Sequence, residues 1–161
     1  MTQHTDQDPT PYGFFKLEEL EVFRNLEGEQ LADVNYYFWY NIATPEQRFL
    51  LYIELLFASE NALILTSGED SEEIKITEAT ALIAHARTLM ERNGGQPAVR
   101  QLPASASALW MEVSGAPLQS IQLSKDPESN LYMNDALLFD FGEKRILVAL
   151  NEHGGMSVGT A

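Results

Sequence analysis

Cysteine is absent from this sequence. Its absence excludes disulfides, thiolate zinc sites, iron–sulfur ligation and a cysteine nucleophile. Long apolar runs are also absent, since the most apolar stretch, Phe49–Phe57, is interrupted by Glu54 and is far shorter than the ~20 residues of a membrane-spanning helix. The N-terminus has neither a basic nor an apolar signal region. We therefore expect no signal peptide and no membrane association, and we predict a cytoplasmic protein.

Basic residues are scarce, because 10 Lys and Arg stand against 24 Asp and Glu, a formal charge of −14. Such a surface repels a phosphate backbone, which excludes a general nucleic-acid binder. The excess is regional: residues 1–93 hold 17 acidic and 6 basic side chains (−11), whereas residues 94–161 hold 7 and 4 (−3). The first 93 residues are therefore where a docking surface for a basic protein is to be sought.

The length of 161 residues and the apolar content of 45% fit one domain with a core of ordinary size. We interpret residues 1–11 as a flexible leader, because they are polar and carry two prolines, and residues 12–161 as a single α+β domain. The predicted architecture is two antiparallel β meanders with one amphipathic helix packed across them.

Two segments allow both a helix and a strand. In residues 14–26, apolar residues recur every third position as in a helix, but Leu20-Glu21-Val22 alternates, and we favour a strand. In residues 45–57, Thr44-Pro45 resembles a helix start, whereas the run from Phe49 fits a buried strand paired with residues 62–66. The consecutive aromatics within residues 35–40 predict another strand.

A possible internal repeat favours the strand interpretation of residues 45–57. The order of apolar runs and turns is the same in two regions of the sequence. The first comprises residues 51–57, 59–65 and 74–76, and the second comprises residues 131–139, 142–148 and 156–158. This order suggests an internal duplication, and the alternative is that two apolar hairpins simply look alike. We predict that residues 156–158 form an edge strand, through which two copies could form a dimer.

The clearest helix spans residues 78–93, where five apolar residues form one stripe at helical spacing and Asn93-Gly94-Gly95 ends it. Residues 108–113 and 118–123 are predicted to be further strands. The stripe consists of Ala79, Leu82, Ile83, Ala86 and Met90.

Motifs for catalysis are few. The sequence has no nucleophile elbow, phosphate-binding loop or paired metal histidines, so we assign no catalytic residue, no metal site and no cofactor. His153, in a glycine-rich turn, is the best candidate for acid–base chemistry, with Glu152 and Asp140 as nearby carboxylates. This gives the alternative prediction of a small-ligand-binding or hydrolytic domain.

The main prediction is a non-enzymatic, immunity- or adaptor-like domain that docks a basic protein. Opposite charge speeds such an encounter, and Tyr and Trp often anchor interfaces. Each feature also has a competing interpretation. The acidic residues could serve only to keep the protein soluble, and the aromatic strand could be part of the core. The predicted contact residues are Glu18, Glu19, Glu21, Asp33, Tyr36, Tyr37, Trp39, Tyr40, Glu69, Asp70, Glu72 and Glu73.

Overall fold

The computed structural model describes residues 10–44, 46–68 and 70–161. The leader predicted for residues 1–11 therefore falls almost entirely outside the described residues. Within them the chain is mostly antiparallel β-sheet with short helices, which confirms the α+β class. The elements are α1 (Leu17–Asn25), β1 (Leu31–Tyr40), β2 (Arg48–Phe57), β3 (Ala62–Thr66), β4 (Lys75–Thr77), α2 (Ala79–Arg92), β5 (Val99–Pro103), α3 (Ala108–Met111), β6 (Ser120–Gln122), β7 (Ala136–Asp140), β8 (Arg145–Leu150) and β9 (Met156–Thr160).

The strands form two antiparallel groups that are joined at one point. β1 to β4 follow one another as neighbours, with β5 added outside β1, and β6 to β9 form a second meander. The groups meet where Leu50 of β2 pairs with Met156 of β9. The prediction of a sheet edge at residues 156–158 is therefore wrong at Met156, and dimer formation through that strand stays a prediction.

The strand favoured within residues 14–26 is wrong, because Leu17–Asn25 is helical. The backbone N–H of Lys16 donates to Glu19 Oε1 at 2.9 Å, which satisfies a donor at the helix start. The alternation that favoured a strand was misleading because Val22 is exposed, whereas Phe23 is buried. In residues 45–57 the strand interpretation is confirmed by β2, which pairs with β3 as predicted.

Residues 108–113 are not a strand, because α3 and a following turn occupy them. This single helical turn directs Trp110 into the core, where it is 1% exposed and its Nε1 donates to the Tyr36 hydroxyl at 2.5 Å. A strand would instead direct the side chains of successive residues to opposite faces. Of the strand predicted over residues 118–123, Ser120–Gln122 forms β6.

One apolar cluster unites both strand groups, with buried side chains that include Ile53 and Leu55 from β2 and Phe139 and Val148 from β7 and β8. A second, smaller cluster lies on the other side of β1 to β3. It contains Leu51, Tyr52 and Ile64 together with Leu82 of α2, and Tyr37 and Trp39 pack against it. The helix therefore covers the first strand group, and its predicted position across both groups stays a prediction.

The helix predicted over residues 78–93 is present as α2, but its buried face differs from the predicted stripe. Leu82 and Leu89 are buried, whereas Ile83 is 55% exposed. Leu82 and Leu89 are seven positions apart, two helical turns, and so lie on one face. The apolar stripe predicted from the sequence included Ile83 and omitted Leu89. Helical spacing alone did not show which side of the helix would contact the sheet.

The predicted duplication is not settled by the strand bounds. Residues 51–57 lie in one continuous strand, whereas their counterparts are interrupted at Asn134 and Asp135 before β7 begins. Asn134 is 2% exposed and serves a buried hydrogen bond described below. The duplication stays a prediction. No helix among the described residues is long and apolar enough to cross a membrane.

Candidate functional site

Acidic residues from two distant sequence segments meet on one side of the molecule. The backbone N–H of Ile76 donates to Glu19 Oε2 at 3.1 Å, which ties the start of α1 to β4. The Tyr12 hydroxyl donates to Glu72 Oε2 at 2.6 Å. These contacts bring the acids of residues 18–19 beside those of residues 70–73.

Three neighbouring hollows follow this side of the molecule, and together we call them the acidic surface. The N-terminal hollow (about 300 Å³) and the middle hollow (about 480 Å³) share Glu73 and Lys75. The middle hollow and the largest one, the aromatic pocket (about 630 Å³), share Asp70. Carboxylates in these walls come from Glu18, Glu19, Asp70, Glu73 and Glu152.

The carboxylates of this surface are of two kinds. Glu73 is 6% exposed, and its Oε1 accepts a 2.7 Å hydrogen bond from Asn134 Nδ2 while its Oε2 lies 3.1 Å from Lys75 Nζ. Glu19 uses both oxygens on backbone N–H groups. Glu18 and Asp70, in contrast, are exposed. Glu19 and Glu73 therefore hold the fold together, and Glu18 and Asp70 face solvent.

The aromatic residues of β1 alternate between its two faces. Tyr36 packs against the main core and accepts the Trp110 hydrogen bond. Tyr40 is approached by two cations, since its hydroxyl accepts from Arg48 at 3.4 Å and the Arg100 guanidinium lies 5.0 Å from its ring centre. Of the predicted aromatic contacts, Trp39 shares a pocket with the acids.

Tyr37 lies on the same face as Trp39 but is tied to Glu54, to whose Oε1 its hydroxyl donates at 3.3 Å. Burial, and then the negative charge of Glu54, raise the pKa of Tyr37. At the N-terminal end, the hydrogen bond to Glu72 and the surrounding acids raise the pKa of the exposed Tyr12 hydroxyl. Both tyrosines therefore remain neutral donors at ordinary pH.

The aromatic pocket has a stacked wall. The rings of Trp39 and Phe49, a cross-strand pair, lie 5.4 Å apart between centres with an interplanar angle of 16°. Gly154 is pressed against the Phe49 ring, because an added Cβ there would lie 2.8 Å from two ring carbons. Leu51 and Leu89 complete the apolar part of the pocket.

The β8–β9 loop forms the polar rim of this pocket and is tightly held. Asn151 N–H donates to the Gly155 carbonyl at 2.9 Å, and Asn151 Oδ1 accepts from the His153 N–H at 2.9 Å. Gly155 donates its N–H to Ser71 Oγ at 2.7 Å, which joins this loop to the acidic segment. Glu152 and His153 are therefore carried on a fixed turn.

Gly155 is required by geometry. Its φ is +69°, in the left-handed region, and a Cβ would lie 2.6 Å from the Leu50 carbonyl oxygen. Ser71, its hydrogen-bond partner, also has a positive φ of 56°. Ser71 lines the pocket, and a left-handed conformation at a residue other than glycine persists only where surrounding contacts fix it.

The catalytic candidates are brought together in part. Glu152 and His153 both line the aromatic pocket, with Glu152 Oε1 3.3 Å from His153 Nε2, but each side chain is 85% exposed. Asp140 lies elsewhere, at the end of β7, where it accepts from the Gly142 N–H at 2.8 Å and lies 3.7 Å from Arg145. The structure therefore pairs His153 with Glu152 and separates both from Asp140.

The remaining predicted contact residues are dispersed or undescribed. Asp33 is bonded to Ser105 and lines a small hollow near Trp110, apart from the acidic surface. Glu21 is exposed in the middle of α1. Glu69 lies outside the described residues. Within the described part of the chain, no group of three or more His, Asp or Glu could hold a metal ion.

Sequence reasoning missed several pocket residues. Ser71, Arg92, Asn151 and Phe49 all line the pocket, yet none of them was a candidate. The sequence did indicate a turn at Asn151–Gly155, because Asn151 begins this segment and Gly154 and Gly155 end it. Nothing local in the sequence places that turn against Phe49. Comparisons with protein-family models, curated proteins and solved structures give no match to this chain.

Proposed function

We propose that this protein is a non-enzymatic, immunity- or adaptor-like binding module that holds a basic protein along the acidic surface. The observation that supports this proposal is the meeting of two acidic segments, residues 18–19 and 70–73, in hollows that share walls. An even scatter of these acids around the molecule would not favour one docking side.

The charges of the surface are suited to a lysine- or arginine-bearing partner. Glu18 and Asp70 are exposed, so their desolvation on binding is modest and a partner can approach them. Lys75 lines two of the hollows, but its charge is compensated by Glu73. Opposite charge across such an interface raises the association rate and makes it sensitive to salt.

The experiment compares two charge-swapped variants of the same net charge. Glu18→Lys/Asp70→Lys changes the acidic surface, whereas Glu128→Lys/Glu143→Lys changes exposed acids in other loops. The probe is a fluorescent peptide of alternating lysine and glycine, measured by anisotropy at low and at physiological salt. We expect the first variant to lose about tenfold in affinity relative to the second, equivalent to ~1.4 kcal/mol.

Equal losses in both variants would contradict the proposal, because the peptide would then respond to net charge alone. The same pair of variants can be used as bait in the native host. A basic protein captured by the wild type and by the Glu128→Lys/Glu143→Lys control, and lost with the acidic-surface variant, is the expected partner.

A second candidate function is a small-ligand-binding or hydrolytic activity that uses His153 with Glu152. The supporting observation is that both residues line the aromatic pocket, of about 630 Å³. The test is turnover of a panel of chromogenic esters and phosphoesters. Activity that disappears in His153→Ala and persists in His85→Ala would support this candidate, and turnover unaffected by His153→Ala would oppose it.

A further inference from the structure

The walls of the aromatic pocket combine flat aromatic surface with carboxylates. Trp39, stacked on Phe49, supplies the aromatic surface, and Leu51 and Leu89 add aliphatic surface. Asp70 and Glu152 reach the pocket from two different loops. A ligand with an elongated apolar stem and a planar cationic head would match both kinds of wall.

We propose that the aromatic pocket binds the side chain of an arginine carried by the basic partner. This inference rests on the proposed function and names the group that anchors the partner at one end of the acidic surface. The methylene stem packs along Trp39 and Leu51, and the guanidinium group is held near Asp70 and Glu152. Trp and Arg are both common among residues that dominate binding energy at interfaces.

Arginine fits this pocket better than lysine does. A guanidinium group is planar, is weakly hydrated, stacks on aromatic faces and donates paired hydrogen bonds to carboxylates, whereas an ammonium group is a compact, strongly hydrated point charge. The pocket rim is also fixed by the Gly155–Ser71 hydrogen bond, so the carboxylate of Glu152 is carried on a loop that requires little ordering.

The charge of the pocket favours a cation over an anion. Among the described residues that line the pocket, two carboxylates, those of Asp70 and Glu152, accompany one guanidinium group, that of Arg92. Arg92 therefore provides the sharpest discrimination between ligand classes. Its removal strengthens binding of a guanidinium group through lost repulsion, and the same removal would weaken binding of an anionic ligand.

The test uses the full chain labelled with 5-fluorotryptophan, because the protein has two tryptophans that differ in position. Trp110 is 1% exposed and bonded to Tyr36, whereas Trp39 lines the pocket. Trp39→Phe assigns the two fluorine resonances. The ligands are three lysine–glycine peptides that differ only in their central residue, which is arginine, lysine or citrulline.

We expect the arginine peptide to bind about tenfold more tightly than the citrulline peptide and to move the Trp39 resonance while that of Trp110 stays in place. Asp70→Asn/Glu152→Gln removes this preference, whereas Glu128→Gln/Glu143→Gln retains it. Arg92→Gln strengthens binding of the arginine peptide by about 2–5-fold.

The outcomes separate this inference from the proposed function. If all three peptides bind with equal affinity and Trp39 does not respond, the arginine pocket is wrong while the acidic surface stands. If no peptide binds, both fail. If Arg92→Gln weakens binding of the arginine peptide, or if an acetylated glutamate peptide shifts Trp39 instead, the pocket takes an anion and the inference is overturned.

Discussion

Glu73 and Asp70 belong to the same acidic run of the sequence, but the fold gives them opposite environments. Glu73 is 6% exposed and bonded to Asn134 and Lys75, whereas Asp70 is exposed at the junction of two hollows. The difference shows that the acidic surface has a structural part, centred on Glu73 and Glu19, and a solvent-exposed part, centred on Asp70 and Glu152. The positions of acidic residues in the sequence do not show which of them belong to which part.

The largest expected effect is on the structural part. Glu73→Ala leaves the buried Asn134 amide without its acceptor and Lys75 without its ion pair. We expect the free energy of unfolding to fall by about 2–4 kcal/mol, measured by urea denaturation. The adjacent, exposed Glu72→Ala should change it by no more than about 0.5 kcal/mol. Similar losses in both variants would remove the distinction between the two parts.

The next effect concerns the loop that carries Glu152. Gly155→Ala places a Cβ 2.6 Å from the Leu50 carbonyl oxygen and requires a positive φ. We expect a loss of about 2–3 kcal/mol in thermal or urea unfolding, together with weaker binding of the arginine peptide. Gly94 also has a positive φ but has no atom within 4 Å of its added Cβ. Gly94→Ala should therefore cost only about 1 kcal/mol and leave peptide binding intact. An equal cost at both glycines would contradict the close approach to Leu50.

A smaller loss of stability is expected in β1, where a tyrosine hydroxyl with a buried partner can be compared with one whose partner is exposed. Tyr36→Phe leaves the buried Trp110 Nε1 without an acceptor, and we expect a loss of about 1–3 kcal/mol in urea unfolding. Tyr40→Phe removes only a 3.4 Å hydrogen bond from exposed Arg48. Its expected cost is no more than about 0.5 kcal/mol. A Tyr40→Phe loss as large as that of Tyr36→Phe would argue against the different roles of these two tyrosines, which lie along one face of β1.

Periodicity predicted much of the sheet. β1, β2, β3 and α2 were recognisable because long runs of aromatic, β-branched or helically spaced apolar residues dominate local preference. α3 was missed, and α1 was left open between a helix and a favoured strand, because both helices are short and depend on particular side-chain contacts. Glu19 ties α1 to Ile76 of β4, and Trp110 donates to Tyr36, and both partners are far away in sequence. Such long-range contacts override local pattern.

The site was predictable in its residue types and not in its geometry. Asp70, Trp39, Glu152 and His153 were all candidates, but they belonged to two competing hypotheses. Their meeting in one pocket depends on the register of β1 with β2 and on the turn that presses Gly154 against Phe49. Neither contact leaves a local signal in the sequence. The burial of Glu73 was hidden for the same reason, since its partner Asn134 is distant in the chain.

The smallest expected effect on stability is the most informative one for function. Asp70→Asn/Glu152→Gln alters exposed side chains at the pocket rim, so unfolding should change by no more than about 0.5 kcal/mol. We expect binding of the arginine-centred peptide to fall about tenfold in the same protein. The readouts are urea denaturation and fluorescence anisotropy of one preparation.

One side-by-side measurement tests the central claim most directly: the stability and the arginine-peptide affinity of Asp70→Asn/Glu152→Gln against those of Glu73→Gln. The account predicts that the first variant keeps its stability and loses affinity. It predicts that the second loses stability and, while folded, binds the peptide nearly as the wild type does. A pocket variant with undiminished affinity, or a Glu73→Gln protein that is fully stable but no longer binds, would contradict the division of the acidic surface.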